Sequence, residues 1–142
     1  MSALLDINFL IALFDAAHVH HRRAHGWLIE HRSEGWATCP LTENGCIRIL
    51  AQPSYPGGLP LPEAARRLRL ARAAKDHTFW PDDVSLCDTK HFDLTRISSA
   101  KLLTDVYLLA LAVKQGGKLV TFDRGIPIGA VPGATQQHLV TL

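Results

Sequence analysis

Cysteine and long apolar runs are both scarce in this sequence. The three cysteines, Cys39, Cys46 and Cys87, are odd in number and lack paired spacing, which argues against a disulfide framework and against a zinc motif. They are predicted to be small core residues. The longest apolar stretch, residues 102–113, is interrupted by polar side chains and is shorter than the roughly 20 residues of a transmembrane helix. We therefore expect no membrane segment.

An excess of charge of one sign is also missing. The formal net charge is only +2, so the chain as a whole is not built to bind nucleic acid, and any electrostatic contact must be local. The N-terminal residues lack a basic region followed by an apolar segment and a cleavage site, because Asp6 comes too early. These features predict a cytoplasmic protein.

The chain does contain enough apolar material for one folded domain. It has 142 residues, of which 47% are hydrophobic and 20% are charged, and no stretch is of low complexity. Such a composition is typical of a globular domain with a substantial core and argues against disorder. We predict a single domain over residues 1–142.

Short apolar runs alternate with helical patterns along the chain. Strands are predicted at residues 3–5, 36–39, 77–80, 118–122 and 138–142. Helices are predicted from residue 8 onward, within residues 15–33, and over residues 41–52, 62–75 and 103–114. The first run is apolar throughout, as in a strand covered on both faces, which predicts an α/β fold with a parallel sheet.

Four acids occupy positions where a carboxylate is unusual. Asp6 comes directly after the apolar run Ala3–Leu5, and Asp123 repeats this geometry after the fourth predicted strand. Glu43 and Asp105 lie instead in the middle of apolar helix faces, where acids are rare unless something pairs with them. Because ligands bind at the carboxyl ends of parallel strands, these acids are site candidates.

Each acid alone has a simpler explanation. Asp6 could serve only as a helix cap, and Glu43 could be neutralised by a buried Arg or Lys rather than by a cation. Four unpaired carboxylates brought together would repel one another, and a divalent metal resolves that conflict. An oxygen-rich, histidine-free cluster suits Mg²⁺ or Mn²⁺, which can activate water and stabilise charge on a phosphodiester. Read together, the acids predict metal-dependent phosphoryl hydrolysis.

A histidine-rich segment allows two interpretations. The side chains of His18, His21 and His25 fall on one face of the second predicted helix. Three imidazoles could bind a transition metal, but no cysteine or carboxylate is spaced to complete such a site. A solvated, partly titrating surface is the favoured interpretation.

The helix predicted at residues 62–75 carries a broad basic face. That face is formed by Arg66, Arg67 and Arg69. A solvated helix surface explains it most simply. The alternative is a surface that contacts phosphates or a protein partner.

The segments around the four acids resemble the acidic motifs of PIN domains, and most closely those of the VapC toxins of type II toxin–antitoxin systems. They read LLDIN (residues 4–8), PLTENG (40–45), LTDVYLLALA (103–112) and TFDRG (121–125). The resemblance implies a PIN-like three-layer α/β/α fold with a central, mostly parallel sheet of four to five short strands. It also implies an Mg²⁺-dependent (or Mn²⁺-dependent) endoribonuclease whose catalytic and metal-binding acids are Asp6, Glu43, Asp105 and Asp123. Supporting roles would fall to Asn8, Thr42, Thr121 and Arg124.

The same resemblance implies an RNA substrate, a cognate VapB-type antitoxin and a homodimer. Three rival functions share some of these features. A haloacid dehalogenase-like phosphatase needs a second Asp two residues after the first, where this chain has Asn8. An inactive PIN-like binding module would be expected to lack one or more acids, and all four are present. A structure-specific DNA nuclease remains an alternative, because the same cluster can cut either polymer.

Overall fold

Five short strands form one sheet in the computed structural model, which describes residues 1–142. In chain order the strands are β1 (Ala3–Leu5), β2 (Trp36–Thr38), β3 (His77–Phe79), β4 (Lys118–Thr121) and β5 (Leu139–Thr141). Their order across the sheet is β3-β2-β1-β4-β5, and every neighbouring pair is parallel. The predicted α/β class is confirmed, and the sheet is fully rather than mostly parallel.

Five α-helices connect and cover the strands. They are α1 (Ile7–Phe14), α2 (His21–His31), α3 (Pro40–Leu50), α4 (Leu61–Arg72) and α5 (Leu103–Lys114). The predicted bounds of α5 are confirmed. The second helix lies within the predicted segment 15–33 but begins only at His21, because the Asp15 carboxylate accepts a hydrogen bond from the Ala17 amide and holds the chain in a turn. None of the helices is long and apolar enough to cross a bilayer.

Alternation of the strand side chains divides the core into two clusters. Leu4 of β1 points into the cluster that contains the buried residues 106–112 of α5. Its neighbour Leu5 points to the other side, into the cluster formed with α1 and α3. Burying each such leucine stabilises the fold by about 1.5–3 kcal/mol. Because both faces of the sheet are covered, the fold has the predicted three layers.

The cysteine prediction holds for two of the three residues. Cys39 and Cys46 are buried, and burial raises the pKa of each thiol to about 12, so they act as small core residues. The prediction is wrong for Cys87, which is exposed in the connection between β3 and α5.

The C-terminal carbonyls of α1 are capped by side chains from α2. His21 Nδ1 lies 2.8 Å from the Ala12 carbonyl oxygen, and His25 Nε2 lies 3.0 Å from that of Leu13. Since a carbonyl can only accept, each of these ring nitrogens carries the proton and donates it. His21 and His25 therefore cap the C-terminus of α1, a role that the sequence pattern did not predict. His25 is nevertheless exposed, as expected for a solvated face, whereas His21 is partly buried.

Gly45 allows α3 to lie directly against the start of α1. A Cβ atom at this position would be far inside van der Waals contact with Cδ1 of Ile7. Ile7 follows Asp6, so this close approach fixes the position of the strand end relative to α3. Only glycine fits here without displacing the Ile7 side chain.

We predict that Gly45→Ala lowers the free energy of unfolding by about 1–3 kcal/mol, because the added methyl group overpacks the contact with the Ile7 side chain. Gly26→Ala is the matched control, since a Cβ there meets nothing within 4 Å. In an exposed helix that change should raise stability by up to about 1 kcal/mol. Urea unfolding of both variants checks this, and equal stability of the two would contradict the steric argument.

Candidate metal centre

Three of the four predicted acids meet at the carboxyl edge of the sheet. Asp6, Asp105 and Asp123 each offer a carboxylate oxygen, and these oxygens all lie within 4.8 Å of one another. Asp6 follows β1, Asp105 lies in the first turn of α5, and Asp123 comes two residues after β4. Because β1 and β4 are parallel neighbours, their carboxyl ends lie side by side and bring the first and last of these acids together.

Burial is graded across this acidic cluster. Asp6 is only 3% exposed, Asp105 is partly buried, and Asp123 is exposed. The cluster is therefore closed at the Asp6 end and open to solvent at the Asp123 end. A ligand can approach from the open side, while Asp6 forms the floor of the site.

Hydrogen bonds fix both oxygens of Asp6. Its Oδ1 accepts from the amide of Ile7 at 2.7 Å, and its Oδ2 accepts from the hydroxyl of Thr121 at 2.6 Å. The first bond is the helix-capping role that the sequence left open, so Asp6 caps α1 and joins the cluster at the same time. Its carboxylate is oriented before any ligand binds.

Asn8 and Thr121 connect Asp6 with Asp123. The Thr121 hydroxyl oxygen accepts from the amide of Asp123 at 3.0 Å and from Asn8 Nδ2 at 3.3 Å, while it donates to Asp6. Asn8 Oδ1 accepts in turn from the amide of Phe122 at 3.3 Å. Both residues lie in the site, at positions that suit the supporting role implied by the resemblance.

Burial and mutual repulsion oppose ionisation in the cluster. Burial raises the pKa of Asp6 to about 6, although its hydrogen bonds from Thr121 and Ile7 favour the charged form. Burial, followed by the charges of Asp6 and Asp123, raises the pKa of Asp105 to about 7. A divalent cation among these oxygens would remove the repulsion, and an all-carboxylate donor set fits Mg²⁺ or Mn²⁺.

Glu43 is held apart from the other three acids. Its Oε1 accepts from the hydroxyl of Thr38 at 2.7 Å and lies 3.2 Å from Nε of Arg72, so it is neutralised by an arginine. It is not in the group whose oxygens converge. The salt bridge was one of the two alternatives left open by the sequence. Neither Thr38 nor Arg72 was singled out there, although Thr38 ends β2 as Thr121 ends β4.

The remaining supporting residues differ in position. Thr42 is buried and caps α3, since its hydroxyl accepts from the Cys39 amide at 3.0 Å and lies 3.1 Å from the carbonyl oxygen of that residue. It therefore acts on the site only through the start of the helix that carries Glu43. Arg124 is exposed beside Asp123, at the open side of the cluster.

The basic face of α4 is partly neutralised within the chain. Arg66 donates two hydrogen bonds to Glu63, at 2.8 and 2.9 Å. Arg67 also approaches Glu63, and its guanidinium donates to the Phe14 carbonyl at 3.1 Å, so it helps to cap α1. Arg69 is exposed. Of the three predicted contact residues, Arg67 has a structural role that the sequence pattern could not reveal.

We predict that Asp105→Asn raises the thermal unfolding midpoint of the metal-free protein, and does so more at alkaline than at acidic pH. The raised pKa means that the folded state holds its proton to higher pH than the unfolded chain does. Stability is therefore lost as pH rises from the unfolded-state pKa towards about 7, and the Asn variant escapes this loss.

Calorimetry in EDTA at about pH 4.5 and about pH 8 measures the difference between variant and wild type. Glu30→Gln is the control, because it removes one charge from an exposed position. An equal shift at both pH values would contradict the argument that burial and repulsion together raise the pKa of Asp105.

Comparisons with known proteins identify the family. The family model described as PIN domain matches residues 3–130. Ribonuclease VapC44 of Mycobacterium tuberculosis is 48% identical over 142 residues, which is 100% of both chains. Ribonuclease VapC39 of the same organism is 42% identical over 137 residues, covering 96% of this chain and 99% of the relative.

A solved structure has the same fold. The crystal structure of Mycobacterium tuberculosis VapC20, described as a sarcin-ricin loop cleaving toxin, superposes with a TM-score of 0.61 over 94% of this chain and 97% of that one. Its sequence identity is 15%, so this likeness concerns the fold alone. From the family match and the full-length relatives, the chain belongs to the PIN-domain family and, within it, to the VapC ribonucleases.

Proposed function

We propose that this chain is the toxin of a type II toxin–antitoxin system and cuts RNA with Mg²⁺ or Mn²⁺ held by Asp6, Asp105 and Asp123. The observation that carries the proposal is the convergence of these three carboxylates within 4.8 Å, with Asp6 buried. Such a cluster is costly in a folded protein unless it serves a cation. The ribonuclease names of the full-length relatives support RNA as the substrate.

The chain's own residues prepare the site before substrate arrives. Asp6 is oriented by the Ile7 amide and the Thr121 hydroxyl, so it does not need to rotate when the site is used. Asp123 lies on the exposed side, where a phosphodiester can approach. A bound divalent ion supplies a Lewis acid for the phosphoryl oxygens and lowers the pKa of an attacking water. Asn8 keeps Thr121, and through it Asp6 and Asp123, in position.

Glu43 is the fourth acid of the proposed site. It lies in the first turn of α3, which begins at the carboxyl end of β2, the neighbour of β1. It is thus at the same edge of the sheet as the acidic cluster. We place it as an outer acid beside the acidic cluster, with Thr38 and Arg72 setting its position.

A protein partner is needed because a free ribonuclease would damage the cell that makes it. We propose a VapB-type antitoxin that inserts an arginine or lysine among the acids and competes with the metal. Arginine suits this role because its planar guanidinium makes paired hydrogen bonds to carboxylates. An amphipathic segment of the antitoxin would pack on apolar surface nearby. We further propose that the toxin forms a homodimer and acts in the cytoplasm.

We predict that purified protein freed of its antitoxin cleaves RNA when Mg²⁺ or Mn²⁺ is added and stops in EDTA. Asp6→Asn and Asp105→Asn should each abolish cleavage and leave the fold intact, because Asn keeps the shape but not the charge. Asp83→Asn is the matched control, since it removes a surface acid that pairs with Lys114. Gel assays on RNA and on DNA of the same sequence measure the activity. Cleavage that persists after chelation, or DNA cut in preference to RNA, would contradict the proposal.

We predict that the exposed arginines of α4 contribute to RNA affinity. The test uses the inactive Asp105→Asn background, in which Arg66→Gln and Arg69→Gln are combined. The slope of log K for RNA binding against log salt concentration should become shallower by about 0.7 for each RNA phosphate that the protein no longer neutralises. Arg67 is left unchanged because it caps α1. The control removes two exposed charges from α2, by Arg22→Gln with Arg23→Gln. Fluorescence anisotropy at several salt concentrations gives the slopes. Equal slopes for the α4 variant and the α2 control would mean that the basic face of α4 is only a solvated surface.

A further inference from the structure

The guanidinium of Arg72 is held at two sides. Its Nε lies 3.2 Å from Glu43 Oε1, and its Cζ lies 4.7 Å from the ring centroid of Phe79. The ion pair joins the last turn of α4 to the first turn of α3, and the aromatic ring belongs to β3. An arginine fixed by a carboxylate and a ring together is less free to leave than one in an ordinary surface ion pair.

The same carboxylate oxygen of Glu43 is also held by a chain of hydrogen bonds. The Thr38 hydroxyl donates its proton to Glu43 Oε1 at 2.7 Å. His77 Nε2, which is 2.8 Å from the same hydroxyl oxygen, must therefore be the donor in that second bond. Glu43 Oε1 is thus shared between Thr38 and Arg72, and neither contact comes from the acidic cluster.

Arg72 gives Glu43 a counter-ion that the other acids lack. None of the ion pairs in the structure involves Asp6, Asp105 or Asp123. A cation that enters the site meets the three acids of the cluster, which have no cationic partner. The fourth acid, Glu43, is already paired with Arg72. An arginine at hydrogen-bond distance competes directly for the carboxylate that a metal would otherwise attract.

We infer that Arg72 is a positioning residue that restrains Glu43 and lowers the affinity of the acidic cluster for divalent metal. The inference rests on the proposed function, since it assumes that the cluster binds such an ion. Removing the guanidinium leaves the site one charge more negative and frees Glu43 to turn towards the other acids. Both changes favour a cation.

The test compares Mn²⁺ binding to purified full-length proteins, measured as the loss of the free-Mn²⁺ EPR signal. Arg72→Gln should bind Mn²⁺ about three- to tenfold more tightly than wild type, as expected for removing one nearby, partly screened positive charge. The Mg²⁺ concentration for half-maximal RNA cleavage should fall in parallel. Arg22→Gln, which removes one exposed positive charge from α2, should change neither quantity.

A second comparison isolates the contact with Glu43. In a Glu43→Gln background, Arg72→Gln should raise Mn²⁺ affinity by less than it does in the wild-type background, because the carboxylate that Arg72 restrains is gone and only the loss of its positive charge remains. Phe79→Leu keeps the guanidinium but removes its aromatic support, so it should shift Mn²⁺ affinity in the same direction as Arg72→Gln and by less. If Arg72→Gln does not fold, Phe79→Leu is used in its place.

The outcomes separate the inference from the proposed function. Wild-type protein that binds no Mn²⁺ would overturn the metal-dependent mechanism itself. Wild-type binding with unchanged or weaker binding by Arg72→Gln, or by Phe79→Leu where it alone folds, would overturn the inference. Weaker binding would mean that the guanidinium holds Glu43 in a metal-binding position.

Discussion

Repulsion between carboxylates at the carboxyl edge of the sheet constrains the rest of this structure. β1 is the central strand and is buried on both faces, so the acid that follows it is buried as well. Asp105 and Asp123 are brought against it by α5 and β4. Hydrogen bonds to Asp6 offset part of this cost, and the raised pKa values of Asp6 and Asp105 mean that these groups keep their protons to higher pH. A divalent cation would remove the remaining repulsion.

The helices next to this edge are arranged to hold its geometry. Asp6 caps the N-terminus of α1, where the helix dipole favours negative charge. The other end of α1 is capped by His21, His25 and Arg67 from two neighbouring helices. Gly45 then lets α3 approach α1 closely enough to place Glu43 at the same edge. Residues outside the acidic cluster thus determine where the acids lie.

Local patterns in the sequence predicted most of the fold and singled out the three acids that converge in the structure. The continuous apolar pattern of α5 predicted its bounds, and acids after two buried strands predicted that Asp6 and Asp123 share one edge. The helix wheel also showed that Glu43 needed a partner. It could not identify Arg72, because the basic residues of α4 look alike in sequence and only the packing of α4 on α3 brings one of them to Glu43. The carbonyl partners of His21 and His25 were hidden for the same reason.

Anomalous diffraction from crystals grown with Mn²⁺ tests the central claim most directly, because it locates the ion without relying on activity. The account predicts an anomalous peak among the carboxylate oxygens of Asp6, Asp105 and Asp123, with oxygen-to-metal distances of about 2.0–2.2 Å. It predicts that Asp105→Asn crystals grown in the same way lack that peak. A peak confined to the histidines of α2, or no peak in the acidic cluster at Mn²⁺ concentrations that support cleavage, would contradict it.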